Sequence, residues 1–147
     1  MKKLNKKGFT IVELVIVIAV IAILSAVLIP TFSGVVGEAK ETALLSDAKA
    51  KYQEYVAQAA LAGTDAATLA VYIDNAGTAD NDTDDKYVVI ENGTVATKSL
   101  TKAEFEAKYK ESTTVGETSY KVATSDATAN GKTFAGLRLI TAKVVTE

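Results

Sequence analysis

Between residues 9 and 29 the chain is apolar at nearly every position, interrupted by Thr10, Glu13 and Ser25. A helix rises about 1.5 Å per residue, so this run spans roughly 30 Å, the thickness of a bilayer's hydrocarbon core. Pro30 closes the run, and Gly34 and Gly37 follow. Proline removes the hydrogen bond to the carbonyl four residues earlier, and each glycine costs about 1 kcal/mol of helix propensity, so a soft joint is expected there. From Val36 the period becomes amphipathic: Val36, Ala39, Ala43, Leu44, Ala48, Tyr52, Tyr55, Val56 and Ala59 recur mostly every three or four positions, with charged residues between them. Asp47 and Lys51 form an acid-first i, i+4 pair. The two segments together predict one long, kinked N-terminal helix of about 50 residues, more than a small domain needs.

Beyond Gly63 the pattern changes. Thr64 or Asp65 is expected to cap a short helix over residues 65–73, and residues 75–85 read as a polar loop. Lys86-Tyr87-Val88-Val89-Ile90 and Val95-Ala96-Thr97 flank Asn92-Gly93, whose residues suit the positive φ angles of a type I′ turn, so a hairpin is predicted. Thr101-Lys102-Ala103-Glu104 is a capping-box signature starting a helix over residues 102–110. Residues 118–124 and 132–145 are rich in Thr, Val, Tyr, Leu and Ile and read as two strands joined by a polar turn at 125–131. The expected class is α+β: the long helix packed on a small antiparallel sheet.

Composition narrows the function. The 147 residues contain no His and no Cys, which removes the usual general base, the thiol nucleophile, thiolate metal sites and disulfides. Acidic residues such as Glu104 and Asp126 and the base Lys121 show no spacing that suggests cooperation, so the chain reads as a non-enzyme without cofactors. Setting aside Lys2, Lys3, Lys6 and Lys7 leaves 12 basic against 18 acidic side chains, a charge of −6 that is no nucleic-acid surface.

One carboxylate inside the apolar run demands a reason. An ionisable group deep in a bilayer costs roughly 2.5 kcal/mol or more, and such groups are functional by default. The string Lys6-Lys7-Gly8-Phe9-Thr10-Ile11-Val12-Glu13-Leu14 resembles the class III signal of type IV pilins and pseudopilins. The resemblance covers about residues 2–37. It implies that a prepilin peptidase cuts after Gly8, that Phe9 is N-methylated, and that Glu13 acts in filament assembly. It also implies unwinding over about residues 25–36 in filaments, around Pro30, Gly34 and Gly37; a simple kink at the membrane exit is the alternative there. The absent cysteines depart from the C-terminal disulfide of many Gram-negative pilins.

Physical chemistry fits that implication. Cutting at Gly8 frees an ammonium on Phe9 in apolar surroundings, where a charge is tolerated only when paired. Glu13 lies about one turn deeper and can meet the Phe9 amine of a staggered neighbour. The expected organisation is a leader at 1–8, a transmembrane and filament-core helix at 9–30, and a globular domain at 31–147 that includes the amphipathic half of the long helix. The leader lysines hold the N-terminus in the cytoplasm, so the precursor is a single-pass membrane protein with its C-terminal domain outside.

The function expected from the resemblance is a structural subunit that polymerises into a helical type IV pilus at the cell surface, serving motility, adhesion or DNA uptake. Its implied partners are copies of itself, the prepilin peptidase, a cytoplasmic assembly ATPase and a membrane platform protein. The alternatives are a major pseudopilin of a type II secretion or competence system and, further off, a single-span anchored binding protein. Asp80, Asp82, Asp84 and Glu91 carry the oxygen spacing of a calcium loop, but Asp85 stands where that loop needs glycine, so a solvated acidic loop is the preferred reading. The sequons at Asn81 and Asn92 are short enough to arise by chance.

Overall fold

Apolar and straight-chain residues with few β-branched interruptions after Val36 sustain a helix that neither Pro30 nor the glycines end. In the computed structural model, which describes residues 8–74 and 85–146, α1 runs Ile11–Leu61 without a break in its helical assignment. Pro30 cannot donate to the Ala26 carbonyl. One position on, the Thr31 hydroxyl donates back to the carbonyls of Leu28 at 2.9 Å and Val27 at 3.3 Å, a pattern that slightly weakens and bends helices. The chain divides into two compact units, with the boundary between Ala39 and Lys40.

In the first unit every described residue is exposed except the half-buried Ser25 and Val36. The helix there has a window long and apolar enough to cross a membrane, with none of that window buried in protein.

In the second unit the predicted stripe is realised over its lower part. Leu44, Ala48, Tyr52, Tyr55 and Ala59 are buried, at steps of four, four, three and four, whereas Ala43, like Ala39 at the end of the first unit, stays exposed. This face covers an antiparallel sheet of β1 (Leu69–Asp74), β2 (Lys86–Glu91), β3 (Thr94–Val95), β4 (Leu100–Thr101), β5 (Thr118–Val122) and β8 (Leu137–Val144). The strand order is β3-β2-β1-β8-β5, and β4 also pairs with β2. A separate hairpin joins β6 (Ala127–Ala129) to β7 (Lys132–Phe134).

The two faces of the sheet bury different cores. Ala70, Val88, Ile90 and Leu137 pack with Phe134 against α1. Val71, Ile73, Val89 and Ile140 face the other way, under Phe105 and Tyr109 of α2 (Lys102–Lys108) and its C-cap. Tyr87, Phe105, Tyr109 and Tyr120 form a continuous aromatic chain there, with successive centroids 4.9, 5.1 and 5.3 Å apart.

Several local expectations hold. Asn92 and Gly93 turn β2 into β3 with φ of 49° and 80°. Thr101 caps α2, accepting from the Glu104 N–H while the Glu104 carboxylate accepts from the Thr101 N–H at 2.8 Å, the reciprocal box the sequence predicts. Three expectations fail. Residues 69–74 are strand, not helix: β1 is the sheet's central strand, bonded to β2 and β8, and that pairing overrides the local preference of an alanine-rich segment. Residues 125–131 are not a plain turn, because β6 and a second Asn-Gly turn, Asn130 (φ 50°) and Gly131 (φ 74°), lie within them. The final strand is interrupted between β7 and β8, at Gly136.

Gly136 is required on two counts. Its φ is +80°, and a Cβ there would lie 2.8 Å from the Ile73 carbonyl oxygen and 3.1 Å from Tyr72 Cε2. The Ile73 N–H donates to the Gly136 carbonyl at 2.8 Å, so the close approach is also a backbone hydrogen bond. Gly136→Ala is expected to destabilise the sheet domain by about 2 kcal/mol or more, from left-handed strain and a clash with backbone that cannot yield. Thermal unfolding of the detergent-solubilised chain, followed by circular dichroism, checks this; an unchanged midpoint would show that the turn reorganises freely.

Candidate functional site

The candidate site is the N-terminal part of α1. Ile11, Val12, Leu14, Val15 and the large apolar residues beyond them as far as Val35 are at least half exposed, a surface with no cover from its own chain among the described residues. Phe9 is 86% exposed. A Cβ placed on Gly8, Gly34 or Gly37 would meet nothing within 4 Å, and none of the three has a positive φ. No packing within the chain therefore asks for glycine at these positions. Gly34 and Gly37 weaken the helix by their low propensity.

Glu13 is the sole charged residue between Phe9 and Ile29. It sits in the first turn of α1, where a carboxylate favours the helix dipole. Its Oε2 accepts from the Thr10 N–H at 2.8 Å and from the Thr10 hydroxyl at 2.7 Å, and the Glu13 N–H donates to Thr10 Oγ1 at 3.2 Å. This is a capping box with the same spacing as the one at Thr101, and sequence reasoning missed it although the Thr-x-x-Glu signal was present. Both acceptor bonds use one oxygen, so Oε1 carries no hydrogen bond among the described residues. A carboxylate so held keeps one oxygen for a donor from outside.

The remaining candidates are dispersed. Asp80, Asp82 and Asp84, together with the Asn81 sequon and the leader lysines, lie outside the described residues. Glu91 is exposed at the end of β2, opposite Leu69 and Thr94. Among the described residues no group of three His, Cys, Asp or Glu side chains could hold a metal ion. Glu104 is taken by its cap, and Asp126 lies 4.0 Å from Arg138.

Sequence reasoning also missed the Glu41–Ser99 pair. Glu41 Oε1 accepts from the Ser99 N–H at 2.5 Å and Oε2 from the Ser99 hydroxyl at 2.9 Å. The Ser99 N–H holds the Glu41 carboxyl below its ordinary range; partial burial opposes this, while the Ser99 hydroxyl, Lys86 and Lys98 add to it. Its contribution to stability is therefore complete above the ordinary carboxylate pKa and lost as pH falls through the depressed value. No local pattern announces a contact 58 residues apart.

Residues 3–29 match the family described as the prokaryotic N-terminal methylation motif. Over 53 residues the chain is 55% identical to the type IV wide pilus major component PilA4 of Thermus thermophilus. Over part of its length the chain is thus similar to a type IV pilin. That match spans 34% of this chain and 40% of the relative's length. No solved structure matches. Gly8, Phe9, Thr10 and Glu13 all fall within the matched methylation motif, and the α+β architecture of a long helix with an antiparallel sheet is consistent with a pilin fold.

Proposed function

We propose that this chain is a pilin subunit that, once cut after Gly8 and methylated at Phe9, polymerises into a helical type IV pilus. The observation that carries this reading is an apolar rod, exposed on all sides, with a single carboxylate one turn below the expected new N-terminus. A rod of that kind is stable in lipid or against copies of itself. In the membrane the precursor is a single-pass protein with residues 31–147 outside. In the filament the rods bundle, and each Glu13 accepts from the Phe9 ammonium of a neighbour, which sets the axial stagger. Head-to-tail contacts of this kind do not close on themselves and so build a filament.

The partners under this reading are the prepilin peptidase, a cytoplasmic assembly ATPase and a membrane platform protein. The role is structural rather than enzymatic. The relative's name, a major component of a wide pilus, favours a pilus over the pseudopilus alternative. Intact-mass measurement of chains sheared from cells tests the processing step: the mature chain is expected to begin at Phe9 and to carry one methyl group. A mass that retains Met1, or a start beyond Pro30, would overturn the reading.

A further inference from the structure

Upstream of Leu44, α1 has no buried residue, and it carries three helix-weakening positions at Pro30, Gly34 and Gly37. Helix opening spreads residue by residue until opening the next one costs more than it returns. Something has to stop it before the core-packed turns. The Glu41–Ser99 contact stands at that border: Glu41 is the second residue of the sheet-containing unit and lies three positions before Leu44, the first buried side chain of the helix.

Its chemistry suits the task. Ser99 is buried, and its N–H lies just ahead of the β2–β4 ladder, which begins at Leu100, so its acceptor is the Glu41 carboxylate rather than a strand. The bond is charge-assisted and two-pronged, and Lys86 and Lys98 favour the ionised acceptor. Unwinding the helix at Glu41 would withdraw that acceptor and leave a buried donor unmade. We propose that the Glu41–Ser99 clamp is the stop that keeps opening of the exposed helix from running into the packed one. The stop is independent of whether the chain forms filaments.

Hydrogen exchange followed by mass spectrometry on the full chain in detergent micelles tests it. The amides of residues 42–45 bond to the carbonyls of residues 38–41, so they report the border directly. In the wild type they should exchange at least tenfold more slowly than the amides of residues 34–38. In Glu41→Ala they should speed up tenfold or more, while the amides of β1 and β2 keep their protection. Alanine is the strongest helix former, so intrinsic propensity cannot produce that loss. Ser99→Ala keeps the N–H donor and loses the hydroxyl, and should show a smaller acceleration at the same amides; it serves also if Glu41→Ala fails to fold. Unchanged exchange at residues 42–45 in both variants would overturn the proposal, as would acceleration spread evenly over the sheet.

Discussion

Glu13→Ala is expected to leave insertion, cleavage and methylation intact and to cut the yield of sheared filaments at least tenfold when the assembly machinery is present. Two effects of the change have to be separated. Losing the Thr10–Glu13 capping box weakens the first turn of α1 by about 1 kcal/mol, a local cost that would leave bundling largely unaffected. Under the proposed assembly, losing the acceptor of a neighbour's Phe9 ammonium would leave a charge unpaired in an apolar bundle, a cost of about 3–5 kcal/mol at every contact. Since about 1.4 kcal/mol is a tenfold change in an equilibrium, only the second can abolish assembly. The paired readout is mature mass, which should show methylated Phe9, and filament yield by electron microscopy. Wild-type yield from Glu13→Ala would remove the carboxylate from the assembly role; loss of cleavage would relocate the effect to the peptidase.

Phe134→Ala should be the most damaging core substitution in the sheet-containing unit, at about 3–5 kcal/mol. Phe134 is 1% exposed and meets Tyr55 of α1 edge to face, with ring centroids 5.7 Å apart. It joins the β6–β7 hairpin to the helix, a junction completed at the surface by the Lys132–Glu54 ion pair and by Asn130 donating to Gln58 Oε1 at 2.9 Å. Those surface bonds cannot hold the hairpin in place of the ring. The Glu54–Lys132 pair is about half exposed, and such pairs contribute roughly 0–1 kcal/mol. Denaturant unfolding of Phe134→Ala and Lys132→Ala side by side distinguishes the two contributions; equal small losses would show that the hairpin is not part of the core. Against a total stability of about 5–15 kcal/mol, the expected loss for Phe134→Ala brings the domain near its folding threshold.

How much was legible in advance follows the range of the interactions. The Asn92-Gly93 turn and the Thr101–Glu104 box were readable because each is complete within four residues. The second Asn-Gly turn, at Asn130, and the second Thr-x-x-Glu box, at Thr10, carry identical signals but are masked, one by a surrounding polar stretch and the other by the long apolar run it leads. Strand β1 was hidden for a deeper reason. Ala70 and Val71 are both fully buried, one under α1 and one under α2, so the segment lacks the alternation that marks a strand with one wet face.

Sequence by itself determined the membrane-length apolar helix, its solitary carboxylate, the glycine before Phe9 and the periodic face that continues the helix onto the sheet. These depend on composition and on spacings of a few residues, which the chain carries wherever it folds. Only the tertiary structure decided that β1 is the central strand, that Gly136 must pass within bonding distance of Ile73, that Phe134 locks a hairpin to Tyr55, and that Glu41 meets Ser99. Those are set by which distant segments come to share a face, and their energies arise only once partners from far along the chain exclude water together.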